Sequence, residues 1–199
     1  MEAWLTIVLR QLILYSLPVL ISITLISLLE SRLTKTPLPH AFFSISWRGT
    51  WLPMLASVAM HRGMIIAPPR PLQHGRRAAA IRLTGHIMLS ILGFFLFSWS
   101  LHHQAPVGLP PLHHWWAKVL MFYNLCMAAL HILPLPTQLA GECLAAIPAG
   151  RRLARHINDH LALIILTLLA ASPLLDWMLG TTIVFLVYEI MNGLADHLW

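Results

Sequence analysis

Two histidines inside long apolar stretches, His86 and His131, are the residues of this sequence best suited to chemistry. Ionisable side chains within membrane-spanning segments are rare and are candidates for function by default. The two imidazoles could face each other as axial ligands of a b-type haem, or bind a metal ion together with His40 or His61. The alternative interpretation is a pair of neutral imidazoles that form hydrogen bonds between helices.

Four carboxylates are further candidates for acid–base work: Glu30, Asp159, Asp176 and Glu189. Glu30 and Asp159 fall at predicted helix ends next to arginines, where a solvated carboxylate is expected, and Asp176 falls in a turn. Glu189 lies within the last apolar stretch, with Asn192 three residues later on the same helical face. It could relay protons or form a hydrogen bond between helices.

The sequence lacks the patterns of several enzyme classes. It has no Ser-His-Asp arrangement, no phosphate-binding loop and no dinucleotide-binding fingerprint. Its two cysteines, Cys126 and Cys143, have neither metal-site nor redox spacing. The histidines and carboxylates therefore remain the candidates for chemistry in this sequence.

The composition of the chain indicates an integral membrane protein. Apolar residues make up 58% of its 199 residues, charged residues make up 10%, and the mean hydropathy is +0.72. Soluble proteins average about 45–50% apolar and about 25% charged residues. These values exclude a soluble domain and a disordered chain. The net charge of +6 is then a signal of membrane topology, and we expect no nucleic-acid partner.

The apolar stretches predict an all-α, multi-spanning fold with a single integral membrane domain over residues 1–199. We expect about five transmembrane helices, at 4–29, 78–101, 115–135, 157–172 and 177–194. The fourth stretch is short for a bilayer, which needs about 20 helical residues. It either starts early and spans, or forms a shallow hairpin with the fifth.

The weaker apolar stretch 51–67 contains Pro53 and Arg62, and the distribution of basic residues predicts its path. Lysine and arginine mark the cytoplasmic side. If 51–67 dips into the membrane and returns, eleven of the 13 Lys and Arg residues lie on the same side of the membrane. Arg10 and Lys118 are the exceptions. We therefore predict a re-entrant segment, with the N-terminus outside and the C-terminus inside.

A broken helix leads to a family resemblance. Residues 131–141, HILPLPTQLAG, must interrupt a helix because each proline removes a donor and blocks the preceding turn. Bacterial site-2 protease-like intramembrane metalloproteases carry a similar NLLPIPPLDG segment. Residues 64–71 (MIIAPPRP) resemble the family's AKPVPVNP loop. Residues 76–85 (RRAAAIRLTG) resemble the arginine-led start of the family's AGP helix, and Arg32-Leu33 resembles its RLGDP motif. The collinear resemblance covers roughly residues 15–194.

The departures from the family pattern concern its zinc ligands. The resemblance implies His-Glu-x-x-His in the first helix and an Asp from Leu-Asp-Gly, but this chain has SITLI or SLLES and either Leu139 or Ala140 there. The positions that match the family motifs are His131, Leu133, Pro134, Pro136, Ala140, Gly141 and Gly85. Because a catalytic zinc needs about three protein ligands, we predict a pseudoprotease with no catalytic residue, no metal and no cofactor.

The resemblance implies a location in the bacterial inner (cytoplasmic) membrane, with a periplasmic N-terminus and a cytoplasmic C-terminus. We predict a non-catalytic accessory or scaffold subunit that binds transmembrane helices of a larger membrane complex and contacts lipids. One alternative is a metalloprotease with a zinc site rebuilt from His86, His131 and either Glu30 or Glu189. Another is a haem b or ion carrier that uses His86 and His131.

Overall fold

All regular secondary structure in the part of the chain that the structure describes is helical. The computed structural model describes residues 2–37, 47–68, 74–103, 109–148, 150, 157–195 and 197. Three helices in these ranges are long and apolar enough to cross a membrane: Glu2–Thr34, Arg76–His102 and Asp176–Ala195. The predicted all-α membrane fold is confirmed at this level.

The first two long helices, α1 (Glu2–Thr34) and α3 (Arg76–His102), form an antiparallel pair. They approach closely where Gly85 faces α1, since a Cβ at that position would lie 3.2 Å from the side chain of Ile26. The pairing explains why a glycine stands within an otherwise bulky apolar helix.

Helix α4 (Leu112–Leu130) runs antiparallel to α3. Gly93 allows contact between their backbones, because a Cβ there would lie 2.5 Å from the backbone nitrogen of Met121. At 19 residues α4 has the length of a span, but its histidines, Lys118 and Asn124 make it less apolar than the three helices above.

A tight turn connects α4 to the short helix α5 (Leu139–Ala145). The predicted span 115–135 ends early, at Leu130, because Pro134 and Pro136 cannot continue a helix. The turn folds back on α5 so closely that a Cβ on Gly141 would lie 2.0 Å from the carbonyl oxygen of Leu135.

The predicted re-entrant stretch forms a hairpin packed inside the protein. A π-helical turn (Trp47–Trp51) leads into α2 (Leu52–Ala59), and residues 64–68 return as buried extended backbone. The hydroxyl of Thr50 donates to the carbonyl oxygen of Pro68 (2.8 Å) and so closes the hairpin. The hydroxyl of Tyr123 donates to the carbonyl oxygen of Ala67 (2.7 Å). Non-helical backbone at membrane depth needs such internal partners.

Helix α6 (Asp159–Ala171) has 13 residues, about 20 Å at 1.5 Å per residue, which is short of a hydrocarbon core about 30 Å thick. After it, a π-helical segment (Asp176–Val184) continues into α7 (Phe185–Ala195), and we call the two together the last helix.

The direction of the last helix differs from the prediction. Ser98, near the end of α3 that is distant from Arg82, donates to the carbonyl oxygen of Ala195 (3.2 Å). The last helix therefore runs antiparallel to α4 and ends away from the basic start of α3. The prediction placed the C-terminus on the basic side, and the contact between Ala195 and Ser98 contradicts this placement relative to α3.

Replacing Gly141 with alanine tests the packing of the turn on α5. The added methyl group would meet backbone atoms of Leu135, which cannot move as a side chain can. We expect Gly141→Ala to lower the free energy of unfolding by roughly 1–3 kcal/mol, seen as a lower melting temperature in detergent. Gly193→Ala is the matched control, since nothing lies within 4 Å of a Cβ there. Equal melting temperatures for the two variants would contradict this packing.

Candidate functional site

Polar side chains of α1, α3 and α4 meet in the interior of the helix bundle. Ser22, His86, Asn124 and His131 are all buried, with at most 5% of each residue exposed. The two histidines predicted from sequence do come together, with ring centroids 6.3 Å apart and ring planes inclined at 52°. We call these four residues the polar network.

Asn124 connects His86 to α1. Its amide nitrogen donates to the hydroxyl of Ser22 and to the carbonyl oxygen of Leu120, both at 2.8 Å. Its amide oxygen lies 2.9 Å from Nδ1 of His86 and must accept from it. Ser22 in turn donates to the carbonyl oxygen of Pro18 (2.8 Å). His86 therefore carries a proton on Nδ1.

His131 is held by the start of α5. Its side-chain Nδ1 accepts a hydrogen bond from the backbone N–H of Leu139 (3.2 Å). Its backbone carbonyl oxygen accepts one from the backbone N–H of Ala140 (3.0 Å). A neutral imidazole that accepts at Nδ1 carries its hydrogen on Nε2. Neither nitrogen of His131 then has a lone pair free for a metal. The side chain satisfies an N–H that the first turn of a helix leaves without a partner.

A buried ion pair lies one helical turn from His86. Arg82 donates through one nitrogen to the carboxylate of Glu30 and through another to the carbonyl oxygen of Thr137. Arg82 is 2% exposed and Glu30 is 5% exposed. The expectation of a solvated Glu30 beside Arg32 is therefore wrong: α1 turns this carboxylate inward, and its counter-ion comes from α3.

The turn between α4 and α5 depends on this ion pair. Thr137 has a φ of 68°, a left-handed conformation that is rare for a β-branched residue. Arg82 holds its carbonyl oxygen, and the carboxylate of Glu142 accepts its N–H at 3.0 Å. Contacts at both ends of the residue keep it in this strained conformation.

Sequence reasoning did not connect Arg82 to the site, although a signal was present. Arg82, His86 and Ser90 follow one another at intervals of four, and residues at that spacing share one face of a helix. Ser90 donates to the carbonyl oxygen of Met121 at 3.0 Å, so this face points towards α4. Arg82 was instead grouped with the cytoplasmic arginines by its charge.

The other candidate residues lie in separate places. Asp176 accepts the backbone N–H groups of Gly63 (3.0 Å) and Met64 (2.7 Å), and so ties the last helix to the hairpin. The ring of His61 packs edge-on against that of Trp4, with centroids 6.3 Å apart. These contacts give both residues a structural role.

The remaining acids and cysteines do not join the network either. Asp159 lies 3.4 Å from His74, and Glu189 is exposed on α7. Cys126 is buried, Cys143 is exposed, and both are free thiols. Within the described ranges no three His, Cys, Asp or Glu residues are grouped as metal ligands. His40 lies outside the described residues.

An apolar groove adjoins the polar network, and we call it the His131 groove. It has a volume of about 580 Å³ and lies between α4, α5 and the last helix. Its lining includes Ala128, Ala129, His131, Ala140, Val184 and Val187. In the described part of the chain, Nε2 of His131 has no hydrogen-bond acceptor, so a donor is available beside the groove.

Comparison with protein-family models, with curated proteins and with solved structures found no match to this chain. The resemblance to site-2 proteases therefore stays a prediction.

Substituting Arg82 tests whether the ion pair holds the site together. Arg82→Met leaves the Glu30 carboxylate buried without its cation, and removing one partner of a buried pair costs about 3–5 kcal/mol. We expect unfolding in detergent at a clearly lower denaturant concentration. Arg77→Met, at an exposed position of the same helix, is the control.

The double variant Glu30→Gln, Arg82→Met removes both charges, and we expect it to recover part of the lost stability. If Arg82→Met unfolds no more readily than Arg77→Met, the ion pair has no such role.

Proposed function

We propose that this chain is a non-catalytic membrane protein built on a scaffold similar to that of the site-2 proteases. In this proposal it acts as an accessory subunit and binds a transmembrane helix of a partner membrane protein in the His131 groove. The observation that carries the proposal is the hydrogen-bonded polar network at the position where the resemblance would put a zinc ion.

The contacts between the matching segments support the scaffold. Ser22 belongs to SITLI, which is aligned with the zinc-binding pair of the first helix, and it joins Asn124 and His86. Gly85 packs against the same helix at Ile26. The 131–141 turn reaches α1 through Arg82, which bridges it to Glu30. These segments are distant in sequence, and they meet at α1, which supports the proposed scaffold.

The hydrogen bonds of the site support a non-catalytic role. A rebuilt zinc or haem site would need lone pairs from His86 and His131, but His131 uses its Nδ1 to cap α5. A general base would need a free carboxylate, but Glu30 is paired with Arg82. Glu189 is on an exposed face of α7, away from the two histidines.

The residues that line the His131 groove are suited to contact with a helix of a partner protein. Alanines at 128, 129 and 140 would let another helix approach closely, as small residues do at helix interfaces in membranes. The Nε2–H of His131 offers a hydrogen bond to a carbonyl or hydroxyl oxygen of that helix. Such a contact would favour one orientation of the partner.

We further propose a topology of four crossings in a bacterial inner membrane. The crossings are α1, α3, α4 and the last helix, while the 47–68 hairpin and α6 enter without crossing. The basic start of α3 then faces the cytoplasm by the positive-inside rule. The start of α1 and the end of the last helix would then lie on the periplasmic side, the latter because Ser98 contacts Ala195.

Filling the His131 groove with a larger side chain tests whether a partner helix binds there. Ala128→Trp places a large ring in the groove, so we expect it to release a helix that copurifies with the wild-type protein in mild detergent. Met88→Trp, at a 60% exposed position on α3, is the control and should retain the helix. The supporting result is a photocrosslink from Val187 to a transmembrane segment that Ala128→Trp abolishes. A monomer that crosslinks to lipid alone would contradict the proposal.

Spectroscopy and metal analysis test the alternatives. We expect the purified protein to contain no stoichiometric zinc and to show no Soret band, because His131 uses its one lone pair to accept the N–H of Leu139 and His86 alone offers too few ligands. His131→Ala and His86→Ala should leave both measurements unchanged. Zinc or a Soret band that disappears in either variant would show that the network is a cofactor site.

A further inference from the structure

We infer that a cavity between α1, α4 and α7 binds the phosphate group of an anionic phospholipid. The cavity has a volume of about 450 Å³ and contains both basic residues that stand apart from the other eleven, Arg10 and Lys118. We call it the Arg10 cavity. It shares no residue with the polar network or with the His131 groove.

Among the residues that the structure describes, the two cations of the cavity have no carboxylate partner. Across the described ranges, no carboxylate lies within 4 Å of Arg10 or Lys118, and none lines the cavity. The ammonium of Lys118 lies over the rings of Phe97 (5.2 Å) and Tyr188 (5.8 Å), which attract it but leave its charge in place. Two positive charges beside apolar helices are costly unless an anion joins them.

A third group in the cavity also has an unused hydrogen-bonding capacity. The side-chain oxygen of Gln11 is buried and has no donor among the described residues. A headgroup that carries hydroxyls, such as that of phosphatidylglycerol, supplies a donor for Gln11 and an anion for the two cations. A free carboxylate or inorganic anion would lack the apolar part that the rest of the cavity fits.

The remaining walls suit a lipid at the membrane interface. Trp115 and Tyr15 line the cavity, and such amphipathic rings are enriched where headgroups meet acyl chains. Leu14 and Val119 provide apolar surface for the start of an acyl chain. Lys118 lies less than two turns from Leu112, where α4 begins, so its ammonium is near a helix end. The combination favours a phospholipid over a soluble phosphate compound.

Native mass spectrometry of the full-length protein in a neutral detergent tests the inference. Phosphatidylglycerol and phosphatidylcholine are added at equal concentrations, and the bound fraction of each is measured. We expect a preference for phosphatidylglycerol that falls on the order of tenfold in the double variant Arg10→Gln, Lys118→Gln, since both charges that attract the phosphate are then removed. Arg10→Gln alone, at an exposed position, should lose part of the preference without disturbing the fold.

The matched control is Arg76→Gln, Arg77→Gln, which removes the same charge from two exposed positions at the start of α3. It should keep the preference. A millimolar excess of glycerol phosphate should not displace the lipid, because it lacks the acyl chains. The inference is overturned by equal binding of the two lipids, by an equal loss in the control, or by displacement with glycerol phosphate.

Discussion

The buried ion pair between Arg82 and Glu30 is the contact on which the rest of this structure depends. It joins α1 to α3, and the same guanidinium holds the carbonyl oxygen of Thr137. Thr137 keeps the α4–α5 turn folded, and that turn presents Leu139 to His131. Because both charges are out of water, losing one partner leaves the other without compensation. The contact between His131 and the start of α5 therefore depends on this pair.

The network has the character of a structural core, since the donors of Ser22, Asn124 and His86 are each directed to a specific acceptor. Asn124 uses its amide to fix the tautomer of His86, and α5 fixes that of His131. Such networks specify one arrangement of helices when every member is satisfied. In our proposal the scaffold keeps its shape and its groove in this way, without a metal ion to hold the helices together.

The sequence predicted the parts of the fold that depend on local pattern. The apolar stretch 78–101 became Arg76–His102, and α4 ended before the proline turn, at Leu130, where the prediction had 135. It predicted the direction of the last helix wrongly, because the hydropathy of a segment indicates whether it can span a membrane and not in which direction it runs. It also misplaced Glu30, because the rotation of α1 that buries this carboxylate is determined by packing against α3. His86 and His131 were correctly paired, but their hydrogen bonds depend on Asn124 and Leu139, which no motif identified.

The most direct test of the account is an electron cryomicroscopy map of the particle purified from native membranes in a mild detergent. We expect a helix of another membrane protein against Ala128 and Val187, with His86 bonded to Asn124. A coordinated metal ion with ordered water between His86 and His131 would contradict it, and so would a His131 groove that contains lipid alone.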